Sequence, residues 1–166
     1  MDDRRAPREQ RAPRPTAASR ERAPPQTAGQ AGVNILVDSS VLIDVLRDRL
    51  GRPALLQRLV THGSLLCSCD VTLAEVYAGM MERERPVTDV LLESLYYVPS
   101  DPQVARAAGL LRGEWRRKGV TLTLMDACLA ALAMRRGLVL LSDNARHFPM
   151  KGLVVWTPHD AASKLP

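Results

Sequence analysis

The chain has 166 residues, of which 46% are hydrophobic, 25% charged and 4% aromatic, with 23 basic and 18 acidic side chains. That length suits one domain with a sizeable core and a small appendage, and no apolar run approaches the roughly 18 residues of a membrane-spanning helix. Three cysteines are too few, and odd in number, for a disulfide-stapled secreted module, so a cytoplasmic protein is expected.

The averages hide a split. Residues 1–32 hold 7 arginines, 4 acids and 5 of the 12 prolines, with no aromatic residue and no Val, Ile or Leu. Such a segment cannot offset the entropy of ordering its backbone, and a disordered, basic Pro/Ala/Arg-rich tail is predicted. It lacks the apolar core of a secretory signal. It reads either as a basic arm that adds phosphate affinity or as a passive extension. The body from residue 33 carries 16 basic and 14 acidic side chains, so its net charge is near +2 and not the +5 of the whole chain. A uniformly basic nucleic-acid-coating protein is thereby excluded. One domain is expected over residues 33–160.

Along the body, Ile35-Leu36-Val37 is a short apolar run that suits a strand buried on both faces of a parallel sheet. Asp38-Ser39-Ser40 follows, with a hydroxyl able to cap a helix that buries Val41, Leu42, Val45 and Leu46 and ends at Gly51. Pro53 opens a second helix to about Thr61. Leu65–Ser68 is a second strand, and a third helix is expected to start after Thr72. Residues 87–94 form a short helix and Leu95–Val98 a third strand. Asp101-Pro102 reads as an N-cap with proline at the first helical position, opening a long helix to about Lys118. A helix over 124–135 stops at Gly137, followed by strands at Val139–Leu141 and Leu153–Trp156. Strands alternating with helices in this way predict an α/β fold with a mostly parallel central sheet.

In open sheets of this kind ligands bind beyond the carboxyl ends of the strands. Asp38 and Asp143 follow strands, whereas Asp126 and Glu75 fall in the first turns of helices, so four acids lie at element junctions. Converging carboxylates need a cation to stay ionised together, and an all-oxygen set selects Mg²⁺, or Mn²⁺, over zinc. A metal so held handles phosphate esters. Each acid also has a plainer role open to it. Asp126 suits a helix dipole, Thr72-Leu73-Ala74-Glu75 spells a capping box, and Asp143-Asn144 suits a turn. Asp38 resists such a reading, because an acid directly after a buried strand is costly unless paired or metal-bound.

Ile35-Leu36-Val37-Asp38-Ser39-Ser40-Val41-Leu42-Ile43-Asp44 closely resembles the opening motif of PIN-domain nucleases, above all the VapC toxins of bacterial toxin–antitoxin pairs. Leu73-Ala74-Glu75-Val76-Tyr77-Ala78-Gly79 is similar to their second motif and Met125-Asp126-Ala127-Cys128 to the third. Leu140-Leu141-Ser142-Asp143-Asn144 is similar to the fourth, in family order across residues 34–149. The resemblance implies a PIN fold and Mg²⁺-dependent cleavage of RNA. It makes Asp38 and Asp126 the principal metal ligands and Glu75 a third acid, acting directly or through water. Ser40 falls at a hydroxyl position near the site. The family commonly has Thr, any residue, then Asp or Asn at the fourth motif. Asn144 therefore takes the acid's slot and Asp143 sits one position early, and either can complete the site. A cognate antitoxin and a homodimer are implied as well.

RNA needs cations at the rim of an acidic site, and two groups are available. Arg112, Arg116, Arg117 and Lys118 cluster at one helix end, while Arg135, Arg136 and Arg146 lie near the last motifs. Both also read as a solvated face. Trp115 reads as core or dimer contact, and Cys67, Cys69 and Cys128 as small buried residues. Two other functions compete. One is a PIN scaffold used for binding or assembly, to which Asn144 lends support. The other is an aspartyl phosphatase, disfavoured because Ser40 occupies the place of its second acid.

Overall fold

The computed structural model describes residues 32–165, so the tail expected over 1–32 lies, except for Gly32, outside the described residues. The body is a five-stranded parallel sheet in the order β3-β2-β1-β4-β5. The strands are β1 (Asn34–Val37), β2 (Leu65–Ser68), β3 (Tyr96–Tyr97), β4 (Val139–Leu141) and β5 (Val155–Trp156). Seven helices connect or flank them: α1 (Ser39–Leu46), α2 (Arg52–Thr61), α3 (Asp70–Gly79), α4 (Arg85–Glu93), α5 (Pro102–Arg117), α6 (Leu124–Arg136) and α7 (Pro158–Ser163).

The apolar run of β1 takes the centre of the sheet because both of its faces are covered. Side chains alternate across a strand. Leu36 joins Leu140 and the inner faces of α5 and α6 in one core, while Ile35 and Val37 join Val41, Leu42, Leu59 and Val76 in the other. The chain builds outward from β1 through β2 to β3, then crosses to β4 and β5 on the opposite side. The gap between the carboxyl ends of β1 and β4 is therefore a topological switch point, where α/β sheets bind ligands. Val37 pairs with Leu141 in register, which sets Asp38 and Ser142 side by side just past the two strand ends.

Most predicted elements stand, including the Asp101 cap, whose carboxylate accepts the Val104 N–H at 2.8 Å. The left-handed Gly137 (φ 63°) ends α6 as expected. Other boundaries moved. Gly51 does not end α1, which stops at Leu46; it is the left-handed residue (φ 65°) from which α2 starts. Helix α7 was not anticipated, although Thr157 and Asp160 form a capping box legible in the sequence. Helix α3 begins at Asp70, before the predicted start. The Asp70 carboxylate accepts from Ser100, and the Thr72 hydroxyl turns inward to the Val37 carbonyl at 3.3 Å. Thr72 is thus spent on a tertiary bond, and the expected capping box with Glu75 does not form.

The cysteines behave as small core residues. Cys67 and Cys69 pack in the same core, on the same side of the sheet. Burial pushes the Cys67 thiol up to about 12 and raises Cys69 and Cys128 as well. A raised value leaves less thiolate at a given pH, and the thiolate is the nucleophile. Iodoacetamide at pH 8 is accordingly expected to spare Cys67 and Cys69 in the native protein and to label all three cysteines after denaturation. Mass spectrometry reads the pattern, and fast native labelling of Cys67 contradicts it.

Candidate active site

Asp38 is anchored first through its backbone, whose N–H donates to the Leu141 carbonyl at 2.9 Å. Its side chain is buried, at 8% exposure, and sits in a cradle of hydroxyls. Ser39 donates to Oδ1 at 3.3 Å; Ser40 and Ser142 donate to Oδ2 at 3.0 and 2.6 Å. Ser142 is fully buried, and its Oγ also accepts the Asn144 N–H at 3.0 Å. Hydrogen bonds to a charged acceptor are strong, and those from Ser40 and Ser142 offset part of the desolvation of the carboxylate, while the single proton of Ser39 is shared with a second acid.

Ser39 is also shared. Its hydroxyl donates to Glu75 Oε2 at 2.7 Å, so a single Oγ touches both carboxylates. This contact follows from the early start of α3, which brings Glu75 around beside the N-terminus of α1. No Lys, Arg or His among the described residues forms an ion pair with Asp38 or Glu75. Two adjacent carboxylates without a cation favour binding one, and hard oxygen donors suit Mg²⁺ or Mn²⁺. The donor chemistry therefore fits the metal that the sequence implied.

Asp126 lies in the first turn of α6. The Thr123 hydroxyl caps that helix, accepting the Asp126 N–H at 3.0 Å and donating to Asp126 Oδ2 at 2.7 Å. His147 Nδ1 lies 3.8 Å from the same oxygen. Among the described residues no three His, Cys, Asp or Glu side chains are grouped closely enough to hold a metal. The four acids thus divide. Asp38 and Glu75 meet through Ser39, and Asp126 is held by Thr123.

Asp143 goes elsewhere. Its Oδ1 forms an ion pair with the Arg52 guanidinium of α2 at 2.5 Å, on the rim of a different cavity. Of the two residues that could complete the site at the fourth motif, Asp143 is the one whose side chain the turn after β4 directs toward α2. Asn144 contributes its backbone N–H to Ser142, and its side chain makes no hydrogen bond among the described residues. Sequence reasoning missed Ser39 and Ser142 as site residues and Arg52 as the partner of Asp143. For Ser142 a signal was available: a hydroxyl directly after an apolar strand, in the motif already singled out. It becomes readable once β4 is known to neighbour β1.

A family profile described as PIN domain matches residues 35–151, and the chain belongs to the PIN domain family. Among similar proteins, Ribonuclease VapC10 of Mycobacterium tuberculosis is 37% identical over 116 residues, 70% of this chain and 86% of that one. Ribonuclease VapC19 of the same organism is 27% identical over 115 residues, covering 69% and 92% of the two chains. The DNA-bound VapBC structure from Salmonella typhimurium superposes with a TM-score of 0.66 at 25% identity, over 76% of this chain and 98% of that one. VapBC2 from Rickettsia felis, bound to a promoter DNA fragment, gives the same TM-score at 18% identity over 75% and 98%, a likeness of fold alone. No helix among the described residues is long and apolar enough to cross a membrane.

Proposed function

We propose that this chain is a Mg²⁺-dependent endoribonuclease and the toxin of a toxin–antitoxin pair, silenced by a cognate antitoxin. The observation that carries the reading is the Asp38 carboxylate, set by three serine hydroxyls at the β1/β4 switch point and joined through Ser39 to Glu75. Relatives named as ribonucleases, and likeness to solved VapBC complexes, support both RNA as substrate and an antitoxin as partner. Asp38 and Asp126 are the residues that would hold Mg²⁺ or Mn²⁺, with Glu75 as a third acid. When bound, such a cation polarises a phosphoryl oxygen and lowers the pKa of a coordinated water. The chain's own contribution is orientation. Ser40 and Ser142 fix Oδ2 of Asp38, Ser39 fixes its position relative to Glu75, and Thr123 fixes the carboxylate of Asp126. A homodimer completes the proposed assembly.

The test is cleavage of a mixed RNA pool by the purified protein. Millimolar Mg²⁺ or Mn²⁺ is expected to support cleavage, EDTA to abolish it, and Asp126→Asn to lower it at least about 100-fold. Full activity in a folded Asp126→Asn variant removes Asp126 from the mechanism. Absence of both cleavage and calorimetric Mg²⁺ binding in the wild type would instead mark the fold as a binding or assembly module.

A further inference from the structure

Helix α5 presents Gly109, Arg112, Gly113 and Arg116 along one face, at the i, i+3, i+4, i+7 spacing of neighbours on a helix. Together with Thr121, Leu122 and Leu124 these residues line a cavity of about 210 Å³ between α5 and the start of α6. The lining holds two arginines and no acid. The glycines keep it open: a Cβ at Gly109 would meet nothing within 4 Å, and one at Gly113 only the Arg117 guanidinium at 3.6 Å. Arg112 donates through Nε to the Leu122 carbonyl at 3.0 Å, which anchors the strand of chain leading to α6 and orients the rest of its guanidinium. Arg116 is exposed and forms no ion pair among the described residues.

The position of this groove matters as much as its charge. Leu122 and Leu124 flank Thr123, whose hydroxyl holds the Asp126 carboxylate at 2.7 Å. A cationic, acid-free cavity therefore opens within one helical turn of a proposed metal ligand. A larger cavity beside α2 and α7 differs, because an acid, Asp143, lines it and pairs with Arg52, leaving Arg58 as its unpaired arginine among the described residues. A guanidinium with free N–H donors matches a phosphate, and the groove has room for one.

We propose that the α5 groove is a substrate subsite in which Arg116 and Arg112 hold a backbone phosphate of single-stranded RNA next to Asp126. This rests on the ribonuclease reading and extends it to the residues that position the strand. Arg116 is a binding residue and takes no part in bond breaking. Arg112 serves a second purpose through Leu122, so Arg116 and Gly109 are the cleaner positions to vary.

The experiment measures binding of a fluorescent, mixed-sequence single-stranded RNA 12-mer by the full chain in EDTA, then kcat and KM for cleavage in Mg²⁺. Arg116→Ala is expected to weaken binding about tenfold and to lower the slope of log K against log salt by about 0.7, one phosphate contact on a single strand. Arg116→Lys retains most of the slope, since it retains the charge. Gly109→Leu keeps every charge, gains helix propensity and fills the groove, and it is expected to weaken binding to a similar degree. In cleavage both Arg116→Ala and Gly109→Leu raise KM while kcat stays within about twofold. Unaltered binding and KM in these two variants, with a wild type that binds and cuts RNA, overturns the subsite and leaves the ribonuclease reading standing. A wild type that neither binds nor cuts the RNA overturns both.

Discussion

Asp38→Asn is expected to fold and to lose RNA cleavage by about 10³-fold. The folding half of this expectation comes from the cradle. All three donors to the carboxylate are serine hydroxyls, and a hydroxyl can rotate to accept as readily as to donate. A carboxamide of the same shape therefore keeps its hydrogen bonds, and the backbone anchor to Leu141 is untouched. The catalytic half comes from charge. Removing the negative charge takes away one of the ligands proposed for the divalent cation and leaves Glu75 without a charged neighbour across Ser39. Several kcal/mol of transition-state stabilisation depend on such a site, and each ~1.4 kcal/mol is a factor of ten in rate. Circular dichroism and thermal melting check the fold, and single-turnover cleavage checks the rate. A folded Asp38→Asn protein that cuts RNA at the wild-type rate would remove the central carboxylate from the mechanism.

Ser142→Ala is expected to lower both activity and stability without touching any charged residue. The hydroxyl is fully buried, gives Asp38 its shortest hydrogen bond at 2.6 Å and takes the Asn144 N–H at 3.0 Å. Its loss frees Oδ2 of Asp38 from one of two donors and leaves a backbone N–H at the turn after β4 without its acceptor. A hydrogen bond to a buried charged group is worth about 2 kcal/mol, which in a domain of this size lowers the melting temperature by roughly 6 °C. Groups that orient a metal ligand typically matter by about 10- to 100-fold, and cleavage is expected to fall within that range. The cleavage assay must be run well below the lowered melting temperature, so that the two effects separate. An activity loss that disappears once unfolded protein is accounted for would make Ser142 a structural residue only.

These two positions show how legibility divided. Asp38 could be read from sequence because an ionised group directly after a three-residue apolar strand has a desolvation cost that something must offset. Ser142 is also a polar residue after an apolar strand, yet nothing in its own neighbourhood says which partner it meets. The partner is set by the register of β4 against β1, and those strands are separated by most of the chain. Glu75 illustrates the opposite error. Local spacing wrote a capping box around it, and that box is absent because Thr72 spends its hydroxyl on Val37, a tertiary bond that no local rule contains. For Asp143 the strand end left two roles open, a site acid or a turn residue. The long side chain of Arg52, reaching across from α2, decided its partner.

The charge of the chain is unevenly placed in the sequence and in the fold. Charge beyond residue 32 is nearly balanced, and what distinguishes the domain is where its charges stand: two acids joined by a serine at a sheet switch point, two arginines in a groove beside a third acid. By itself the sequence determined the α/β class, the strands and most helices, and the family, because apolar periodicity, caps and motif order are local properties. Tertiary structure alone decided which carboxylates meet, which hydroxyls hold them and where Asp143 points. Those outcomes depend on strand order and side-chain reach between elements far apart in the chain, and distance along a sequence carries no record of distance in space.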